Sequence, residues 1–190
     1  MRKLVLLMHI SLDGFTAGPG GELDWITVDE EVWKEVIEQQ SMADAALFGR
    51  VNYQGFESYW PTVPTDPNAS SNEVEHARWL EQTPKYVFST TLEQVTWRNT
   101  RIVKGNIAEE IADLKQQSGK GLLFFGGASL AQILVREGLI DEYRLLVNPV
   151  VLGKGSRLFQ DIPERIPLKL VASKAFRGGV VRLHYRAEKP

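Results

Sequence analysis

Apolar residues along this chain follow two spacings. Short, almost continuous runs occur at residues 3–10, 45–48, 85–89 and 122–125, the pattern of strands buried on both faces rather than one. Between them the spacing changes to the helical period. Val32, Trp33, Val36 and Ile37 form one stripe, and Thr27-Val28-Asp29-Glu30 ahead of it has capping-box spacing. Asn106 is placed to cap a helix over residues 107–117, and Leu130, Ile133 and Leu134 give a helix over 128–137 its sheet-facing side. Residues 101–103 and 142–147 read as further strands, and 168–176 with 180–186 as a hairpin around Gly178-Gly179. Strands alternating with helices predict an α/β fold, its sheet largely parallel with an antiparallel C-terminal edge.

The stretch 61–72 breaks this rhythm with Pro61, Pro64 and Pro67 among polar residues and reads as an insertion loop. Ser70 with Glu73 then opens a short helix towards Leu80. Neither flank would make a domain by itself, so 1–190 is taken as one domain. Its 43% hydrophobic and 24% charged residues suit a soluble globular chain. The absence of cysteine excludes a disulfide scaffold, a thiolate zinc site and a cysteine nucleophile together. A net charge of −2 offers no field for nucleic acid or an anionic membrane. The apolar run after Met1-Arg2-Lys3 is short and lacks a small-residue cleavage site, which favours a first strand over a signal peptide. No segment is long enough to span a bilayer, and the expected location is cytoplasmic.

Three strand ends carry residues suited to chemistry. In Leu122-Leu123-Phe124-Phe125-Gly126-Gly127-Ala128-Ser129-Leu130 a strand passes through two glycines into a helix. Bare N–H groups at the positive end of a helix suit a pyrophosphate, and the same residues also describe a tight turn with no ligand. The spacing is not GxGxxG, so an ordinary Rossmann site is not indicated. Phe48-Gly49-Arg50-Val51-Asn52 follows the same logic: Arg50 either grips a phosphate with Asn52 in support, or pairs with a surface carboxylate. Ser89 and Thr90 supply hydroxyls, which also commonly cap turns. In a parallel sheet these ends converge on the edge where open α/β sheets bind ligands.

Taken in order, Ser11-Leu12-Asp13-Gly14, Asp24-Trp25, Gly49-Arg50-x-x-Tyr53, Ser89-Thr90 and Gly126-Gly127-Ala128 resemble the dihydrofolate reductase superfamily. The resemblance is closer to the C-terminal reductase domain of the bifunctional riboflavin-biosynthesis deaminase-reductase and its small stand-alone relatives, whose late strand-turn segment is similar to residues 149–159. It covers nearly the whole chain and implies a dihydrofolate reductase-like three-layer sandwich. It further implies NADPH across the strand ends. Gly49, Arg50, Gly126, Gly127, Ala128 and Ser129 would hold its phosphates, and Ser89 and Thr90 would lie near the ribose phosphate. The loop from Asp13 to Trp25 would cover the nicotinamide. Ala128 stands where a third glycine is usual, and Asn52 where a phosphate-binding threonine is usual. The implied activity is hydride transfer to a small pteridine, pyrimidine or carbonyl compound. With no Asp or Glu beside Arg50, Ser89 and Thr90, NADPH is expected over NADH.

Reduction of a carbonyl or imine also needs a proton. Asp29, Glu30 and Glu31 follow Trp25, as the carboxylate of classical dihydrofolate reductases follows its tryptophan, although acidic residues are normal in any first helical turn. Asp13 is the rival, with a turn-forming role as its simpler explanation. Trp25 and Trp60 sit beside the loops of the site and are the candidate substrate walls. His9, His76 and His184 show no metal-ligand spacing and no GxSxG elbow is present, so neither a metal site nor a hydrolase is indicated. The alternative from another class is a nucleotide-binding or regulatory protein that kept the fold without turnover. The apolar stretches Val150-Val151-Leu152 and Val180-Val181 predict a homodimer.

Overall fold

The computed structural model describes residues 1–188. In chain order its elements are β1 (Leu4–Ser11), β2 (Phe15–Ala17), α1 (Glu30–Ser41), β3 (Ala43–Gly49), α2 (Arg50–Tyr59), a 3₁₀ turn (Trp60–Thr65), α3 (Ser71–Gln82), β4 (Lys85–Phe88) and β5 (Thr100–Val103). There follow α4 (Ile107–Gln116), β6 (Gly121–Phe124), α5 (Ala128–Arg136), β7 (Glu142–Asn148), β8 (Ser156–Arg157), β9 (Leu168–Ala175) and β10 (Val181–Ala187). Eight strands form one sheet in the order β5-β4-β3-β6-β1-β7-β10-β9. The first six run parallel, while β10 is antiparallel to β7 and β9 to β10. A mostly parallel sheet with an antiparallel edge and helices on both faces is thus the architecture.

The continuous apolar runs are explained by cover on both faces. On one, Leu4, Leu6, Met8, Leu47, Leu122 and Phe124 pack with Ile111 and Leu114 of α4 and Leu130 and Leu134 of α5. On the other, Leu7, Leu123 and Leu146 meet Val32 and Val36 of α1, while Ala46, Phe48 and Val87 meet Tyr53 of α2 and Leu80 of α3. Each fully buried leucine here contributes about 1.5–3 kcal/mol relative to leaving it in water.

Three local expectations are corrected. The N-cap of α1 is Asp29, whose carboxylate accepts from the Val32 N–H at 2.9 Å, whereas Thr27 lies outside the helix and its own N–H donates to Asn148 Oδ1. The 61–72 stretch is not wholly loop: Pro61 sits in the first turn of the 3₁₀ segment, where a missing N–H costs nothing, and the Ser70–Glu73 capping box then starts a helix reaching Gln82. The stretch from Asp13 to Trp25, read as a loop, contains β2, paired antiparallel with β8 from the far end of the chain.

Candidate functional site

A cavity of about 820 Å³ opens at the C-terminal ends of the parallel strands. One side is built from strand-to-helix turns. Gly49, Arg50 and Asn52 come from the β3–α2 turn, Ser89 and Thr90 follow β4, and Gly126, Gly127, Ala128 and Ser129 join β6 to α5. Every residue that the resemblance implicated in phosphate or ribose binding is therefore in this lining.

The turns are shaped for close approach. Gly126 and Gly127 have φ of 114° and 104°, a region that other residues enter only under strain. A Cβ on Gly127 would lie 3.4 Å from the Asn52 Cβ and 3.9 Å from the Gly49 nitrogen, so the β3 and β6 turns touch. Asn52 Nδ2 donates to the Gly126 carbonyl at 3.1 Å and ties them together. Helix capping separates the helices into two groups. α1, α3 and α4 each have a side-chain cap, from Asp29, Ser70 and Asn106. α2 and α5, which begin on the cavity wall, have glycine at the N-cap and no side-chain cap bond. Their first N–H groups are left for whatever the cavity holds. Ser89 is already engaged, its Oγ accepting from the Thr91 and Leu92 N–H groups, so the turn-capping role is present here.

A second part of the lining is aromatic. Trp33 of α1, Phe56 of α2, Trp60, His76 of α3 and Phe125 all line it. Trp33 and Trp60 meet edge to face with ring centres 6.2 Å apart, and His76 lies 4.3 Å from Trp60 and 5.4 Å from Trp33. Trp60 thus stands where a substrate wall was expected. Trp25 does not: it is outside the lining, with its indole N–H donating to the Glu22 carbonyl at 3.0 Å. Trp33, one helical turn into α1, takes the wall position.

None of the proton-donor candidates lines the cavity, because each is held elsewhere. Asp13 accepts from Ser11 Oγ and from the backbone N–H groups of Leu152 and Gly153. Those bonds, the Ser11 hydroxyl first, bring its pKa down to about 2, which suits a structural anion and not an acid at neutral pH. Asp29 caps α1 and also accepts from the Gly178 N–H. Glu30 is exposed and pairs with Lys34 at 2.8 Å, which lowers its pKa, and Glu31 accepts from the Arg177 N–H.

The titratable groups that do line the cavity are Arg50, His9 and His76. Burial lowers the pKa of His9 to about 4 and of His76 to about 3, so both rings are neutral at physiological pH. Asn148 Nδ2 lies 3.2 Å from His9 Nδ1, and Gln40 Nε2 lies 2.6 Å from His76 Nδ1. Sequence reasoning passed over both histidines because it searched for ligand spacing, and their partners are amides distant in the chain. Among the described residues no cluster of three or more His, Cys, Asp or Glu could hold a metal ion. No helix of the described residues is long and apolar enough to cross a membrane.

A mostly parallel sheet with its ligand cavity at the strand ends, two open helix N-termini on one wall and an antiparallel C-terminal edge, defines a dihydrofolate reductase-like α/β protein. More narrowly, the chain belongs to the RibD C-terminal domain family, whose family model matches residues 2–182. Among curated relatives it is 36% identical over 185 residues to the uncharacterized protein YyaP of Bacillus subtilis (strain 168), covering 97% of this chain and 94% of that one. In fold it is similar to a protein of Shewanella sp. PV-4 provisionally assigned to riboflavin biosynthesis, with a TM-score of 0.77, 24% identity and both chains covered in full. It also resembles the diaminohydroxyphosphoribosylaminopyrimidine deaminase/5-amino-6-(5-phosphoribosylamino)uracil reductase of Thermotoga maritima, with a TM-score of 0.68 and 17% identity over 98% of this chain and 57% of that one. At these identities the two solved structures speak for the fold alone.

Proposed function

We propose that this protein is an NADPH-dependent reductase of a small ring or carbonyl compound. The observation that carries the reading is the pair of uncapped helix N-termini, α2 and α5, meeting beside Arg50 on one cavity wall. Two sets of free N–H groups and one guanidinium fit a pyrophosphate, and the glycines at 126 and 127 leave room for it against bare backbone. The names of the solved relatives, one of them a uracil reductase, point to the same class of chemistry. Arg50 and the N–H groups of α2 and α5 would hold the phosphates, and Ser89 and Thr90 would lie near the ribose. Bound there, NADPH supplies a hydride. Among the described residues the lining contains no carboxylate, which favours the phosphorylated dinucleotide over NADH. A cytoplasmic location goes with such a cofactor.

Titration with both cofactors, followed by nicotinamide fluorescence, tests the reading. NADPH should bind more tightly than NADH. If Arg50 meets the ribose phosphate, Arg50→Ala should cost about 1.5–3 kcal/mol, roughly ten- to a hundredfold in NADPH affinity, and leave NADH nearly unchanged. Equal losses for both would move Arg50 to the shared pyrophosphate, and no binding of either would end the cofactor claim. One feature favours a second reading, a nucleotide-binding protein without turnover: among the described residues no carboxylate reaches the cavity to donate a proton. NADPH binding without oxidation by any carbonyl, pteridine or pyrimidinedione would decide for it.

A further inference from the structure

The lining of the cavity has an unusual charge inventory. Arg50, on the phosphate wall, is its one formally charged side chain among the described residues, and no Asp, Glu or Lys joins it. The part of the lining on the α1 and α3 side consists of aromatic rings and aliphatic groups such as Leu23, Ile26, Val28 and Val36. A phosphate or carboxylate brought against that wall would lose its water and find no cation, which disfavours it there. A pterin-like ring would find no carboxylate to receive its amino protons. Flat apolar rings, in contrast, match the wall formed by Trp33, Phe56, Trp60 and Phe125.

One polar group on this side has its hydrogen fixed by the fold. The Thr27 N–H is an obligatory donor and gives its hydrogen to Asn148 Oδ1 at 2.8 Å, so the other end of that amide must be the NH₂. The same NH₂ faces two acceptors, the carbonyls of Leu146 at 3.0 Å and Ile10 at 3.4 Å, which confirms the assignment. Its two hydrogens are shared among these carbonyls and His9 Nδ1 at 3.2 Å, and a protonated Nδ1 would set donor against donor, so the neutral ring carries its proton on Nε2, which has no protein partner among the described residues. His9 offers the cavity a fixed N–H donor. Thr16, a hydroxyl in the same lining, already spends its hydrogen on the Ser156 carbonyl at 3.1 Å.

We propose that this side of the cavity takes an uncharged, flat aromatic carbonyl compound whose oxygen is received by His9 Nε2–H. That this is the substrate side rests on the reductase reading. A phosphorylated pyrimidine and a folate are both excluded by the same inventory of charge.

A matched pair of probes tests it through quenching of tryptophan fluorescence, since Trp33 and Trp60 stand in the wall. The uncharged 2-methyl-1,4-naphthoquinone should bind at least tenfold more tightly than 1,4-naphthoquinone-2-sulfonate, which has the same ring and carbonyls plus one charge. His9→Leu should weaken the uncharged quinone about three- to tenfold, the range of one neutral hydrogen bond, and leave 2-methylnaphthalene, which has no carbonyl, unchanged. His9→Gln, with a donor of its own, should recover part of the loss. Equal or tighter binding of the sulfonate, or no quenching by either quinone, overturns the proposal, and this wild-type comparison needs no variant to fold. An equal loss for quinone and naphthalene in His9→Leu overturns the role of His9. NADPH fluorescence on the same samples separates the two readings. Failure of NADPH to bind removes the reductase, whereas NADPH binding alongside preference for the sulfonate removes only the substrate class.

Discussion

Asp13 accepts three hydrogen bonds, from Ser11 Oγ at 2.7 Å and from the Leu152 and Gly153 N–H groups at 3.1 and 2.8 Å. It thereby ties the loop after β1 to the segment after β7. Its folded pKa, about 2, lies below the ordinary 3.8, so ionised Asp13 stabilises the fold above the ordinary value and that contribution is lost as the pH falls through about 2. Asp13→Asn should lower the thermal midpoint at pH 7, and the gap from wild type should close between about pH 4 and 2; a gap of constant size would mean the charge is irrelevant. The sequence marked Asp13 as either turn or acid, and its letters could not choose between them, because the deciding partners lie 139 and 140 residues away. His9 was illegible for the same reason, its partner Asn148 being 139 residues distant. The glycines and Arg50 were legible because a strand-to-helix turn is a local event.

At the scale of elements, the strands and helices were readable from period alone, since a parallel sheet covered on both faces leaves continuous apolar runs in the chain. The inward face of α1 was not. Its expected stripe, Val32 and Val36 included, is interleaved with buried Glu35, Gln39 and Gln40. The cause is in the sheet: β7 and β10 place Arg144 and Arg182 beneath the helix, and Arg182 Nη1 donates to both Glu35 carboxylate oxygens, at 2.9 and 2.7 Å. Gln39 Nε2 adds a third bond to Glu35 at 2.8 Å. Glu35→Ala would leave a buried guanidinium without its anion, and should destabilise the fold by about 3–5 kcal/mol in urea unfolding. A loss under 1 kcal/mol would show that water or Glu142 takes over.

Across the whole molecule, the edge strand differs from the one expected. Val180 is fully buried and Val181 lies on β10, which is paired on both sides, while Val151 is exposed but its neighbours are tied down, the Val150 carbonyl and Leu152 N–H being bonded to the loop after β1. Of the two strands that end the sheet, β5 and β9, it is β9 that closes the antiparallel side, and it exposes Leu170 and Val171. We place the proposed homodimer contact there, since an uncovered apolar edge invites pairing with a second copy. Light scattering at micromolar concentration should return a particle of two chains, and the double substitution Leu170→Lys and Val171→Lys should return one. A wild-type monomer would end the idea, and a dimer that survives both lysines would move it off β9.

The open N-termini of α2 and α5 bear on folding as well as on binding. Three other helices finish their own first turns with a side chain, whereas these two have no side-chain cap. The ends of α2 and α5 should therefore be the places where backbone amides exchange with solvent most readily in the ligand-free protein, at residues 50–52 and 128–130. A bound dinucleotide would act as the missing cap for both at once. Exchange there should slow sharply on NADPH addition, and at a hundredfold excess over its dissociation constant the whole protein should gain about 2.7 kcal/mol. Deuterium uptake unchanged at those amides would mean that the ligand sits elsewhere. On this view the cofactor is the last piece of secondary structure the chain acquires, supplied from outside its own sequence.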